Sequence, residues 1–449
     1  MALTNKLTAI ADAVRSKTGD TEKLTLDEMA AEIADIPAPV PGSDVYTDYA
    51  VNGLATISED IEWPVVRERG FSNCEINAQL KNLTSVKQSG FSGARIYAPQ
   101  DFSKVANVDK SAFESVSFFV KQDTTYSFDA LQTIAVSYAF AGMNINHTNN
   151  QTTSNITFDF PNLVSIAGDK AFGSIKANSY HINTITINCP VLTTITAGET
   201  FSNLGYTSTY NTEYIVNLPE LTTVSSNASS IFSQNSYRND TRHLRIYAPK
   251  LATITQTMFL YTYLRELTLD WDNITSISNG GFSSAHYENG MFPNLPSVTT
   301  ISENAFISTA VDMQDTSTAP YVWKIGGEEP VFVGQRAFRT IALLNKNTTY
   351  RPLLLDFPSG LTDATFTKSQ LFYSNFLSSP ISIVIRNSTV PTLTYSPITS
   401  NGIFGKDLEA GQQVYVPRAL LEDYKAATNW SVIANNIVAI EDYPDLLDQ

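Results

Sequence analysis

The chain has 449 residues with 44 Asp+Glu against 29 Lys+Arg, a formal charge of -15. That balance argues against duplex nucleic acid or an anionic membrane as the main partner, because a phosphate-binding surface needs clustered cations. Charged residues make up only 16% of the chain and hydrophobic ones 43%, including 24 Phe and 21 Tyr, so a large core under a mostly neutral polar surface is expected.

At the start, Leu7, Ile10, Ala11 and Val14 fall on one face of a helix, and Gly19 stands where such a helix would end. A second helix is announced by the capping box Thr25-x-x-Glu28, with Met29, Ile33 and Ile36 on one stripe and Pro37 as its stop. The prolines of 37–42 then read as a semi-extended linker. Residues 1–42 are therefore expected to form a helical hairpin on a tether. It serves either as a cap on the adjoining domain or as a docking and oligomerisation handle through Leu7, Ile10, Val14, Met29 and Ile33. Neither a signal-peptide pattern nor a run of 18 apolar residues occurs in the sequence, so no secretion signal and no transmembrane segment are expected.

Residues 43–76 read as an N-terminal capping region, and from about residue 77 one pattern recurs. An apolar residue is followed three positions later by Val or Ile and then, after a polar stretch, by Phe. Examples are Leu83/Val86/Phe91, Phe102/Val105/Phe113, Leu131/Ile134/Phe140, Leu163/Ile166/Phe172 and Val298/Ile301/Phe306, with Phe338, Phe372 and Phe404 marking degenerate copies. The mean interval from Phe91 to Phe404 is about 28 residues, inside the roughly 20 to 50 window of stacked-repeat architectures. Most copies carry a short alternating strand that exits at a proline or turn, such as RIYAP (95–99), TFDFP (157–161) and ITINCP (185–190). Stacking about 12 such units at ~4.8 Å each would give a body of roughly 55 to 60 Å. Cys74 and Cys189 have neither zinc-site nor disulfide spacing and are expected to be reduced and buried, Cys189 on the inward alternation of its strand.

These units resemble the bacterial-surface-antigen-type, BspA-like leucine-rich repeat, whose copies read L-xx-I-xxxx-AF; the nearest here are 163–172 and 298–306. The resemblance covers 77–404 and implies a leucine-rich-repeat solenoid, mainly β with short helices and turns. The family's Cys after the Phe and its Gly before the final strand are mostly missing.

Residues 405–449 change character. A strand at 412–417 precedes Pro417 at a first helical position and a helix over 419–430 that lines up Leu420, Tyr424 and Ala427; a short strand at 436–441 and an acidic tail come after it. A strand-helix cap closing the stack is expected. VPRALLEDYKAATNW is similar to the terminal unit of repeat proteins of gut bacteria and their phages. The segment from Lys6 to Pro37 resembles a short leader on virion structural proteins of phages infecting Firmicutes. Together these resemblances imply a virion component of the tail, baseplate or a fibre, often as a homo-oligomer, held to other virion proteins through 1–42.

Motifs for chemistry are scarce. His147, His181, His243 and His286 are scattered without a metal-ligand spacing and read as surface loop residues. Asp270-Trp271-Asp272-Asn273 opens like a calcium loop, but Thr275 and Gly281 stand where its Gly and Glu should be. Lys17-Thr18-Gly19 matches a penicillin-recognition triplet in letters only, since no S-x-x-K accompanies it. No phosphate-binding glycine loop and no nucleophile elbow are present. No metal, no cofactor and no enzyme activity are expected, although paired carboxylates for a tail depolymerase leave no sequence signature.

The segments after each Phe are rich in Tyr, Asn, Ser and Thr, a mixture that supplies rigid amphipathic area and adaptable hydrogen bonding. Insertions at one point of a repeat emerge side by side on one edge. Tyr206, Tyr210, Tyr214, Tyr237, Arg238, Asn239 and Tyr287 are accordingly the expected contacts to a bacterial surface glycan or protein. A cell-surface adhesin, a purely structural head or tail decoration and a depolymerase are the alternative readings. The two ends carry -3 and -5, which leaves -7 for the 362 residues between them. Contact by shape and hydrogen bonding, more than by charge, is the expected mode.

Overall fold

A computed structural model describes residues 56–444, apart from 59, 63, 98, 149–151, 206–209, 235–242, 289, 291, 346–348 and 376–377. The expected docking residues Leu7, Ile10, Val14, Met29 and Ile33 lie outside the described residues.

The described chain is mainly β, and its strands pair in parallel in the order in which they occur along the chain. Alternation of apolar and polar residues creates these strands and turns one side of each inward. Nine strands from Thr124–Ser127 to Ala342–Leu344 form the longest ladder, and six from Thr56–Ile57 to Lys176–Ala177 form a second. Two-residue strands such as Ser165–Ile166 and Thr194–Ile195 make short ladders of three, four and three strands, and five strands from Tyr321–Lys324 to Ile437–Ala439 make the last large sheet. Parallel neighbours need a crossover, and here the crossover is made of strands belonging to other ladders. Between Ser154–Asp159 and its partner Ile182–Asn188, the chain passes through Ser165–Ile166 and Lys176–Ala177.

Inward residues of equivalent strands meet in columns. Ile156, Ile185, Tyr214 and Leu244 form one, Phe158, Ile187, Val216 and Ile246 another, and all are buried. Phe160, Cys189, Leu218 and Ala248 come directly after these, so Cys189 is a core residue; it and Cys74 are buried thiols, and burial pushes both up. The most regular column is aromatic. From Phe71 to Phe338 each ring stacks on the next, with centroids 4.9 to 5.5 Å apart, and the run continues to Phe372 at 6.1 Å. Strand spacing places identical rings at an offset-stacking distance, which is why Phe recurs there.

Two details differ from the expected register. The Val/Ile column runs from Val86 to Val108, not to Val105, because Ser85–Val86 pairs with Asn107–Val108. Phe102 instead stacks on Phe128 at 5.1 Å, at the head of a second, shorter ring column that reaches Phe160 at 4.9 Å. One further copy also precedes residue 77. Val65–Val66 pairs with Ser85–Val86, and Phe71 stacks on Phe91. Its sequence signal, Trp63/Val66/Phe71, has the spacing of Leu83/Val86/Phe91.

The turn that carries each Phe has its own rule. Residues two before and two after the ring have positive φ, as at Lys170 (53°) and Ser174 (62°) around Phe172 and at Asn304 (57°) and Ser308 (56°) around Phe306. A left-handed non-glycine residue costs about 1 to 2 kcal/mol. Three hydrogen bonds to the next turn hold this conformation: Lys170 N to Gly198 O at 3.1 Å, Phe172 N to Thr200 O at 2.9 Å and Ser174 N to Ser202 O at 2.8 Å. The same triplet recurs from Phe71 to Phe338. Neighbouring turns approach closely at Gly168, where a Cβ would lie 1.8 Å from the Val136 carbonyl oxygen. Gly168→Ala is expected to push the two turns apart and lower stability by about 1 to 3 kcal/mol, measured as a shift of the urea unfolding midpoint.

Toward the end of the chain, strands Val414–Val416 and Ile437–Ala439 extend the last sheet. The α-helix between them is Leu421–Ala426, shorter than the 419–430 expected, because Ala427 turns extended at ψ 144°. Tyr424 is buried, and Leu420 and Ala427 pack against the core beside it. Trp430 is fully buried and donates its indole N–H to the Pro391 carbonyl at 2.8 Å.

Candidate functional site

The outer face of the nine-stranded ladder is built from residues that alternate with the core columns. Thr157, Thr186, Ile215 and Arg245 form one outward row, and Asp159, Asn188, Asn217 and Tyr247 another. In the second row Asn188 donates its amide to Asp159 at 2.6 Å, and Asn217 donates to Asn188 at 2.6 Å. Asn188→Ala is expected to cost about 1 kcal/mol, by leaving the flanking groups without their ladder partner, read from thermal unfolding. Charge on this face is paired internally. Arg245 lies 2.7 Å from Glu213 and 2.9 Å from Glu266, and Arg265 reaches Glu213 at 3.2 Å.

At the edge where these strands begin, Tyr180 is 74% exposed and meets Tyr210 edge to face at 4.4 Å. His147 and His181 lie beside one another at 5.6 Å. Of the residues expected from sequence, Tyr210 therefore stands on this edge, while Tyr206, Tyr237, Arg238 and Asn239 lie outside the described residues.

Tyr214 and Tyr287 are corrections. Tyr214 is 3% exposed in an inward column, and its hydroxyl accepts the Ala177 N–H at 2.9 Å. It sits in phase with Val216, two residues on, so alternation turns it inward. Tyr287 is also buried and stacks on Phe292 at 5.2 Å, with burial pushing its phenol up. Sequence reasoning missed Tyr180 and Tyr247. Tyr180 lies in a polar segment after Phe172 like those already singled out, and Tyr247 comes after inward Ile246 and so must point outward.

His147 and His286 depart from a loop reading, whereas His181 lies in the turn before Ile182–Asn188. His286 lies in the strand His286–Tyr287, bonds Asp312 at 2.9 Å and stacks on Tyr263 at 4.3 Å. Burial, followed by the Asp312 and Glu288 charges, pushes the Tyr263 phenol up to about 12. His147 ends the strand Asn144–His147 and bonds the Ser154 hydroxyl at 2.9 Å. The calcium-like segment forms a single 3-10 turn, Trp271–Asn273, in which Asn273 bonds the Asp270 carboxylate at 3.0 Å.

A cleft of about 390 Å³ lies between Gln79–Asn82 and Pro99–Lys104. Its polar groups are engaged locally: Lys81 with Asp60 at 2.9 Å, Lys104 with Asn82 at 2.7 Å and Gln100 with the backbone of Leu80 and Ala78. Among the described residues, no group of three or more His, Cys, Asp or Glu side chains is placed to hold a metal ion, and no helix is long and apolar enough to cross a membrane. No protein-family model and no curated protein matches the chain.

Proposed function

We propose that this chain is a non-enzymatic virion component, of a phage tail, baseplate or fibre, that binds the bacterial host surface through a leucine-rich-repeat solenoid. The observation that carries the reading is the pairing of a rigid interior with a neutral outer face. Ring and aliphatic columns fix each turn on the next. The outward rows offer hydroxyls and amides, the adjoining edge offers the Tyr180–Tyr210 pair, and Arg245 and Arg265 are tied up in internal ion pairs. A surface of this kind takes a glycan or a neutral protein patch by many small contacts. Residues 1–42 dock on other virion proteins, and residues 405–449 close the far end.

The test is binding of the full chain to host cells as salt is raised. Affinity is expected to change less than about threefold between roughly 50 and 500 mM NaCl, since few counterions are released. Loss of binding in moderate salt, or no binding to cells at any salt, would overturn the reading. A chain lacking residues 1–42 is expected to keep cell binding and to lose incorporation into particles.

A further inference from the structure

We propose that the face formed by the two-residue strands is a track for a linear, uncharged polysaccharide lying along the stacking direction. The proposal rests on the surface-binding reading above and adds a second face and a ligand class to it.

In each of these strands the second residue is buried in the Val/Ile column, so the first points outward, as do Thr133, Thr194 and Thr223. The residue before it is outward as well, and this row includes Thr193, Thr222 and Thr299. From Leu83 to Ile301 neither row carries a charged side chain, and Thr and Ser dominate both. The adjoining corners do hold charges, as in the Lys170–Glu199 pair at 3.0 Å.

Hydrogen bonding fixes how the face presents itself. The Thr193, Thr222 and Thr299 hydroxyls donate back to the carbonyls of Val164, Thr193 and Thr275, at 3.2, 3.4 and 3.4 Å. These contacts turn the hydroxyls of the row toward the backbone of the preceding strand. Val164, in the second row, and Val191 are 45% and 38% exposed and add apolar area that suits the C–H face of a sugar ring.

One hydroxyl at the head of the face is left unmet within the described chain. Ser85, on the outward position of the same column of strands, is only 7% exposed, and its hydroxyl has no hydrogen-bond partner among the described residues. An unmet buried hydroxyl costs about 1 to 3 kcal/mol unless something outside the chain satisfies it.

The occupant is set by the chemistry. A nucleic acid or an acidic polymer needs cations that these rows lack. A protein partner is held by Trp, Tyr or Arg anchors seated in pockets, and none stands in either row. A polysaccharide chain brings hydroxyls at a regular advance, and the strands repeat at ~4.8 Å, close to the length of one sugar unit. Each turn then contacts about one sugar, so affinity accumulates along the stack.

Retention of the full chain on insoluble cellulose, chitin and an α-glucan tests this, with alginate beads as the acidic comparator. At least one neutral polymer is expected to retain the protein and alginate is not. The double variant Thr194→Lys/Thr223→Lys, at outward positions and checked by unchanged thermal unfolding, is expected to lose at least about tenfold in retention. Val432→Lys, exposed on the terminal segment and away from both faces, is expected to keep it. No retention on any neutral polymer, retention on alginate alone, or an unchanged lysine variant would overturn the proposal. Host-cell binding that persists in any of those cases leaves the surface-binding reading standing.

Discussion

Phe172→Ala is expected to lower stability by about 3 to 5 kcal/mol through the lost transfer energy and the cavity left behind. The ring lies between Phe140 and Phe201, both at 5.4 Å, and meets Phe160 edge-on at 5.1 Å. Aromatic contacts of this kind add about 0.5 to 1.5 kcal/mol each beyond area burial. Because neighbours carry the stability of stacked units, removing a central ring is also expected to split one unfolding transition into two. Phe404→Ala, at the end of the column with one tilted neighbour at 6.1 Å, should cost less than half as much and leave a single transition. Urea unfolding followed by circular dichroism measures both. Equal losses at the two positions would mean that the rings fill space without coupling the turns.

Trp430→Ala is the second large effect. Its indole is fully buried, meets Tyr424 at 5.2 Å and Phe366 at 6.0 Å, and donates to the Pro391 carbonyl. Truncation removes these links between residues 421–439 and the preceding turns and leaves that carbonyl without the indole donor. A local loss of about 3 to 5 kcal/mol is expected. It should appear as faster amide exchange over residues 414–440, while the amides of the Phe turns from Phe91 to Phe306 keep their protection. Uniformly faster exchange along the chain would show instead that the terminal segment sets the stability of the whole stack.

The interior was legible because it is written in identical side chains. Phe at a recurring interval and Leu or Ile three residues apart determine the columns, and parallel pairing results from them. Phase was harder to read where apolar residues overlap. Phe102, Val105 and Val108 are spaced by three, so two registers fit locally, and only the partner strand Ser85–Val86 selects one. The same ambiguity hid Tyr214 and Tyr287. Segments of variable length precede their strands, and a one-residue change of phase exchanges inside for outside. The left-handed positions beside each Phe are marked in the sequence only in part: Asn73, Gly93, Gly142, Asn203, Gly280 and Asn304 suit this conformation, whereas Tyr138, Lys170, Glu199 and Arg336 do not favour it. Hydrogen bonds to carbonyls of the next turn, 19 to 33 residues further on, impose it. On the binding side, sequence composition identified polar, tyrosine-bearing segments, but the hydroxyl rows emerged only once the two-residue strands were aligned.

The three amide bonds at each Phe turn run one way, from donors on the earlier turn to acceptors on the later one. A finished turn therefore displays N–H groups that only the turn after it can satisfy. A ribosome releases the earlier turn first, at about 5 to 20 residues per second, so each turn has roughly one to six seconds to wait as a template before its complement emerges. At the Phe turns assembly and synthesis share a direction, while along the two-residue strands later donors such as Lys87 and Asp109 reach back to the earlier carbonyls of Val66 and Val86, so a growing end offers donors at its Phe corner and acceptors on the adjoining face.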